Sequence, residues 1–173
     1  ADQYGHVIHL GTRDCSIQRR HQKLLEIAPA GLPGTVCDQL QAAAVLAAKT
    51  SGYVNAGTVE FLVDSRTHDF WFMEVNTRLQ VEHTVTEMIT GEDLVQEQIR
   101  IAEGRPLQIR QEEVRLHGIA IEVRINAEDP GRDFMPFPGT VSDLRVPGGP
   151  GVRFDSMLYP GYTHRVGGPK VGV

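Results

Sequence analysis

Residues 58–76 read Thr58-Val59-Glu60-Phe61-Leu62-Val63-Asp64-Ser65-Arg66-Thr67-His68-Asp69-Phe70-Trp71-Phe72-Met73-Glu74-Val75-Asn76. Two runs rich in β-branched and aromatic residues, 58–64 and 70–76, flank a short polar segment, which predicts an antiparallel hairpin. Pairing Asp64 with Phe70 sets Glu60 directly opposite Glu74. Asn76 then shares the Glu74 face, because side chains alternate along a strand. Like charges facing each other across a ladder repel. Two readings answer that oddity. One is a solvated sheet face with Asn76 opening a turn. The other is a hard divalent cation, Mg²⁺ or Mn²⁺, held by two carboxylates and an amide oxygen and completing its shell with phosphate oxygens and water.

Downstream, Arg78, Gln80, Glu82 and His83 crowd polar groups into a stretch without apolar periodicity, read as an extended or looped run that is either exposed or part of a site. Arg78 can fork onto a small planar anion, Gln80 can add a donor, and Glu82 has the chemistry of a general base. Upstream lies Arg13-Asp14-Cys15-Ser16-Ile17-Gln18-Arg19-Arg20-His21-Gln22-Lys23. Its basic side chains suit a phosphate or carboxylate pocket, or a solvated basic strand edge. Nucleic-acid binding is disfavoured, since no aromatic residue interleaves them and the net charge is -5. Cys15 reads as a small buried hydrophobe rather than a nucleophile.

Around this centre, the sequence predicts a turn at 3–5 and a strand at His6–Leu10 whose pairing neighbour is missing. A helix is predicted over 35–50, with Val36, Leu40, Ala43, Ala44 and Ala47 at helical spacing and Ser51-Gly52 as its end. A second helix is predicted at 92–103, with Thr90 as its cap and Val95, Ile99 and Ala102 on one face. The run His117–Asn126 alternates, with Ile119, Ile121, Val123 and Ile125 on one face and Glu122, Arg124 and Asn126 on the other, which predicts a half-buried strand. Proline and glycine concentrate beyond it, predicting short antiparallel strands and turns. The expected domain boundary lies near residue 112.

Composition agrees with a folded α+β chain: 173 residues, 40% hydrophobic and 23% charged, exclude a wholly disordered polymer. Two cysteines are too few for a disulfide framework, which points to a reducing compartment. No apolar run long enough for a membrane span or signal peptide occurs.

Four blocks carry a resemblance: residues 13–23, Met73-Glu74-Val75-Asn76-Thr77-Arg78-Leu79-Gln80-Val81-Glu82-His83, Val85-Thr86-Glu87-Met88, and Arg124-Ile125-Asn126-Ala127-Glu128-Asp129-Pro130. In order and spacing they resemble the biotin carboxylase component of biotin-dependent carboxylases, such as acetyl-CoA carboxylase, within the ATP-grasp superfamily. The resemblance covers about residues 5 to 162. It implies the C-terminal half of an ATP-grasp domain over 1–112 and a truncated, mainly antiparallel β C-terminal domain over 113–173. It implies carboxylation of biotin by ATP and bicarbonate through carboxyphosphate. It further implies Glu60, Glu74 and Asn76 as metal ligands for Mg²⁺ or Mn²⁺, and Gln18, His21, Glu60, Leu62 and Glu74 as ATP contacts. Lys23, Arg78, Gln80 and the Val81 amide would line the bicarbonate pocket, with Glu82 as the base. Arg124 would stabilise the biotin enolate.

A biotin carboxyl carrier domain, a carboxyltransferase and a homodimeric complete enzyme are the implied partners, in the cytoplasm or mitochondrial matrix, without nucleic acid or membrane. Complete relatives carry an N-terminal domain and a glycine-rich ATP lid upstream, so the sequence is expected to be a fragment with little activity of its own. Phe137 stands where the family tends to have a small residue, and residues 163–173 depart from the usual continuation. Another ATP-grasp ligase and a noncatalytic module that kept the fold are the competing readings.

Overall fold

The computed structural model describes residues 1–164. The chain divides into two compact units, Ala1–Glu122 and Val123–Val173, the second described as far as residue 164.

In the first unit, β1 (Gln18–Arg19) and β2 (Gln22–Lys23) form a tight antiparallel pair with Gln18 opposite Lys23. Its turn residues Arg20 and His21 both have positive φ, 51° and 62°. Paired positive φ values characterise the two-residue loop that matches strand twist, a place more often given to Asn-Gly. β3 (Leu25–Ala28) follows and pairs with β6 (Ala120–Val123). Next comes α1 (Gly34–Ser51), matching the predicted helix, and it ends where Gly52 at φ 63° turns its N–H back onto the Ala48 and Lys49 carbonyls.

The hairpin forms from β4 (Thr58–Val63) and β5 (Phe70–Asn76), with Glu60 opposite Glu74. The route to that register differs from the expected one. Asp64 does not pair with Phe70; Val63 does, because the Asp64 carboxylate accepts from the amides of Arg66 and Thr67 and closes the turn. A bulge that leaves Met73 unpaired between Glu74 and Phe72 then restores the Glu60–Glu74 alignment.

The segment after Glu82 is a helix, α2 (His83–Thr90), which periodicity did not reveal. Its β-branched Thr84, Val85, Thr86, Ile89 and Thr90 are poor helix formers, so packing rather than propensity decides it. Val85 and Ile89, each 2% exposed, pack on Ala28 of β3, with Ala120 of β6 against the cluster. Because this contact holds Glu82 over the strand that follows Lys23, Ile89→Ala is expected to cost ~3 kcal/mol in urea unfolding of the chain. A cost under ~1 kcal/mol would show that α2 is not anchored through this core.

α3 (Leu94–Ala102) lies within the predicted span, with one correction. Its cap is Asp93, whose carboxylate accepts from the Gln96 amide, while Thr90 is the last residue of α2 and donates to the Thr86 carbonyl. Its covered face carries Glu97 and Ile101, whereas Val95 and Ile99 are exposed. The predicted His117–Asn126 strand is shorter than expected. Only Ala120–Val123 is strand, and Ile119, Ile121, Val123 and Ile125 are exposed while Glu122, Arg124 and Asn126 are half-buried. Thr84 of α2 donates to the Glu122 carboxylate, which draws the polar side of β6 inward. Residues 6–10 are not strand, as no ladder partner lies beside them among the described residues. The N-terminus is instead clamped by Asp2, which accepts from the amides of Tyr4, His6 and Leu107. Burial opposes its ionisation, but these bonds and His6 prevail and hold the carboxyl down to about 2.

The second unit is antiparallel, as expected, in short ladders: β7 (Glu128–Asp129) with β8 (Met135–Pro136), and β9 (Gly139–Thr140) with β10 (Thr163–His164). Of the atypical tail, residues 165–173 lie outside the described residues. Among the described residues no helix is long and apolar enough to cross a membrane.

Candidate active site

Lys23 ends β2, Glu60 sits mid-hairpin, and Glu82 precedes α2; the core beneath α2 brings the three together. Lys23 Nζ lies 2.7 Å from Glu60 Oε1 and 2.9 Å from Glu82 Oε1. Burial disfavours its charge, yet the bonds from Glu60 and Glu82 outweigh burial and raise its pKa. The same pairing acts on the acids. Glu82, 4% exposed, is opposed by burial but lowered by Lys23, and Glu60 is opposed by burial but lowered by Lys23 and Gln80. Both stay ionised at neutral pH.

Glu60 Oε1 also accepts from Gln80 Nε2 and Asn76 Nδ2, each at 3.0 Å, and the same Asn76 nitrogen donates to Glu74 Oε1 at 3.0 Å. The facing carboxylates are thus bridged by positive hydrogen. Among the described residues no three His, Cys, Asp or Glu side chains cluster as a metal site. A cation here would take two carboxylates and, with the amide turned, the Asn76 oxygen, leaving its other positions to phosphate and water. That all-oxygen set fits Mg²⁺ or Mn²⁺.

An open cavity of ≈ 730 Å³ takes in Gln18, Lys23, Glu60, Leu62, Arg78 and Gln80. Its size is in the range of a nucleotide-sized site. Leu62 and Val81 are exposed, as are Gln18 and His21 on the β1–β2 hairpin. Arg78 is exposed too, its guanidinium donating to the Leu79 carbonyl, outside the lysine network. Arg124 belongs to the second unit, where it is half-buried.

Two further groups belong to this site: Arg13, named above only within the basic segment, and Glu26, which the sequence did not single out. Arg13 donates to Gln80 Oε1 at 2.7 Å and to the hydroxyls of Thr58 and Thr86 at 3.2 Å. Glu26, 2% exposed, lies 3.9 Å from Arg13 Nε and 4.0 Å from Lys23 Nζ, with neither carboxylate oxygen hydrogen-bonded. Burial and then the Glu82 charge push its pKa up to about 8. The readable signal was a lone acid in the apolar run Leu24-Leu25-Glu26-Ile27-Ala28.

Residues 1–110 match the family described as Carbamoyl-phosphate synthase L chain, ATP binding domain, and residues 122–166 the one described as Biotin carboxylase C-terminal domain. The chain is 57% identical over 164 residues to "Biotin carboxylase 1" of Bacillus subtilis, covering 94% of this chain and 36% of that protein. It superposes on a biotin carboxylase–βγ-ATP complex from Campylobacter jejuni with a TM-score of 0.92 and 47% identity, over 99% of this chain and 38% of that one. On the biotin carboxylase domain dimer of Hydrogenobacter thermophilus 2-oxoglutarate carboxylase, in complex with MgADP, ADP and bicarbonate, the values are 0.89 and 48%, over 99% and 38%.

The chain belongs to the ATP-binding domain family of carbamoyl-phosphate synthase L chains, an α+β ATP-grasp fold. Within that family it is of the biotin carboxylase kind, and it spans about a third of the length of the curated relatives it matches.

Proposed function

We propose that this chain is the part of a biotin-dependent carboxylase that binds ATP with Mg²⁺ (or Mn²⁺) and bicarbonate and carboxylates biotin through carboxyphosphate. The observation that carries it is Lys23 held between Glu60 and Glu82, with Lys23 and Glu60 lining the cavity. Such a site holds an ammonium for an anion, an ionised acid within reach of that anion's proton, and a carboxylate row for the cation.

In this reading Glu60, Glu74 and Asn76 hold the cation, which would neutralise phosphate charge when bound. Gln18, His21, Glu60, Leu62 and Glu74 contact the nucleotide. Lys23, Arg78, Gln80 and the Val81 amide receive bicarbonate and stabilise charge developing on it. Glu82 takes the bicarbonate proton, sharpening its oxygen for attack on the γ-phosphate. Arg124 keeps a fixed charge for the biotin enolate. The nucleotide, metal and bicarbonate site falls in 1–112 and a mainly antiparallel β C-terminal domain in 113–173. A carrier domain presents biotin, a carboxyltransferase takes the carboxyl group onward, and the complete enzyme is a cytoplasmic or mitochondrial homodimer.

The test grafts this chain onto the Bacillus subtilis relative in place of its matching 164-residue segment. Bicarbonate-dependent ATP cleavage is expected with free biotin as acceptor and not with ammonia. The 173-residue chain alone, which spans 36% of that relative, is expected to turn over at least about 100-fold more slowly than the graft. Ammonia dependence would replace this reading with another ATP-grasp ligase. Failure of Mg-ATP to raise the melting temperature of the graft would favour a noncatalytic module.

A further inference from the structure

Gln80 is 7% exposed and lies between two groups of opposite hydrogen-bonding character. Its Oε1 accepts from the Arg13 guanidinium at 2.7 Å, and its Nε2 donates to Glu60 Oε1 at 3.0 Å. A guanidinium cannot accept and a carboxylate cannot donate, so only one orientation of the carboxamide satisfies both. The Nε2 group has a second N–H for an anion beside Lys23.

The two restraints are not equivalent. In the proposed function Glu60 also serves the cation, so its hold on Gln80 competes with that duty. Arg13 has no such second task. Its guanidinium, on a side chain 16% exposed, is held by two hydroxyls, Thr58 at the start of β4 and Thr86 in α2, with Glu26 of β3 3.9 Å from Nε. A planar fork fixed this way sets the direction of the bond it donates.

We propose that Arg13 is a positioning residue for the anion pocket, locking the Gln80 carboxamide so that its NH₂ group, never its oxygen, faces the bound anion. The inference rests on the bicarbonate reading for its consequence, and on geometry alone for the orientation. A pocket oxygen turned toward an anion repels it, so loss of the lock weakens anion binding while leaving the nucleotide's own contacts intact.

Two arms test it. In the 173-residue chain, NMR follows hydrogen exchange of the Gln80 side-chain amide. Arg13→Lys, which keeps the charge and loses the fork, is expected to speed that exchange about tenfold. The milder Thr86→Val, which removes one support, shifts it in the same direction should Arg13→Lys not fold. In the graft, Arg13→Lys is expected to raise the bicarbonate KM about tenfold with the ATP KM within about twofold, and to have less than about a twofold effect once Gln80 is already Ala.

Equal effects with and without Gln80, or a parallel rise in the ATP KM, would overturn the proposal. So would amide exchange unchanged in every folded variant. An unsubstituted graft without bicarbonate-dependent turnover would instead strike the functional reading, and the exchange arm alone would then decide whether Arg13 orients Gln80.

Discussion

Glu82→Gln in the grafted carboxylase is expected to lower bicarbonate-dependent ATP cleavage by about 10³-fold while leaving Mg-ATP binding within about twofold. The substitution is nearly isosteric and keeps an oxygen that can accept from Lys23, but an amide does not take up a proton. Glu82 suits the base role because it is 4% exposed and, against burial, lowered by Lys23 at 2.9 Å. It is therefore ionised when the anion arrives. Direct measurement of nucleotide binding separates this loss from misfolding. Turnover within about tenfold of the parent would reject Glu82 as the base and leave it as Lys23's partner only.

Lys23→Met is expected to have the largest effect on stability, about 3 to 5 kcal/mol at pH 7 in urea unfolding of the chain. The lysine is the cation common to Glu60, Glu82 and, at 4.0 Å, Glu26. Removing it leaves acids facing one another in a largely covered site. The pH dependence has a definite sign. In the parent, Glu60 and Glu82 have pKa values lowered in the folded state, so they contribute stability above the ordinary carboxylate range and lose it as pH falls through the folded values. Lys23, raised, contributes at all pH below the ordinary lysine value and loses that contribution only as pH rises through its folded value. In the variant the acids lack their cation and protonate readily, so the deficit relative to the parent is greatest near neutrality and shrinks toward pH 4. A deficit independent of pH would mean that lost packing of the lysine stem, not uncompensated charge, is responsible.

The hairpin shows how a correct expectation can arrive by a different path. Its two strands and the opposition of Glu60 and Glu74 were legible because β composition and alternation are local. The turn was not, since the Asp64 carboxylate competes for the amides that follow it, and the bulge at Met73 compensates the resulting slip. α2 was invisible for a complementary reason. Its run of threonines with Val85 and Ile89 has weak helix propensity, and burial against Ala28 overrides that. The same limit applies to residues 117–126, whose alternation puts Ile119, Ile121, Val123 and Ile125 on one face that the described chain leaves exposed. Alternation says which side chains share a face, and only neighbouring elements say which face is covered.

From the sequence alone came the strand pair with its carboxylates, the α1 helix, the short antiparallel C-terminal strands and the motif blocks of the family. Each depends on residues close together along the chain. Tertiary structure decided that Lys23 stands between Glu60 and Glu82, that Arg13 grips Gln80, and that Glu26 is a buried acid beside both cations. Those partners are separated by tens of residues in most cases. Their distances are set by the packing of α2 on β3, which no local pattern encodes.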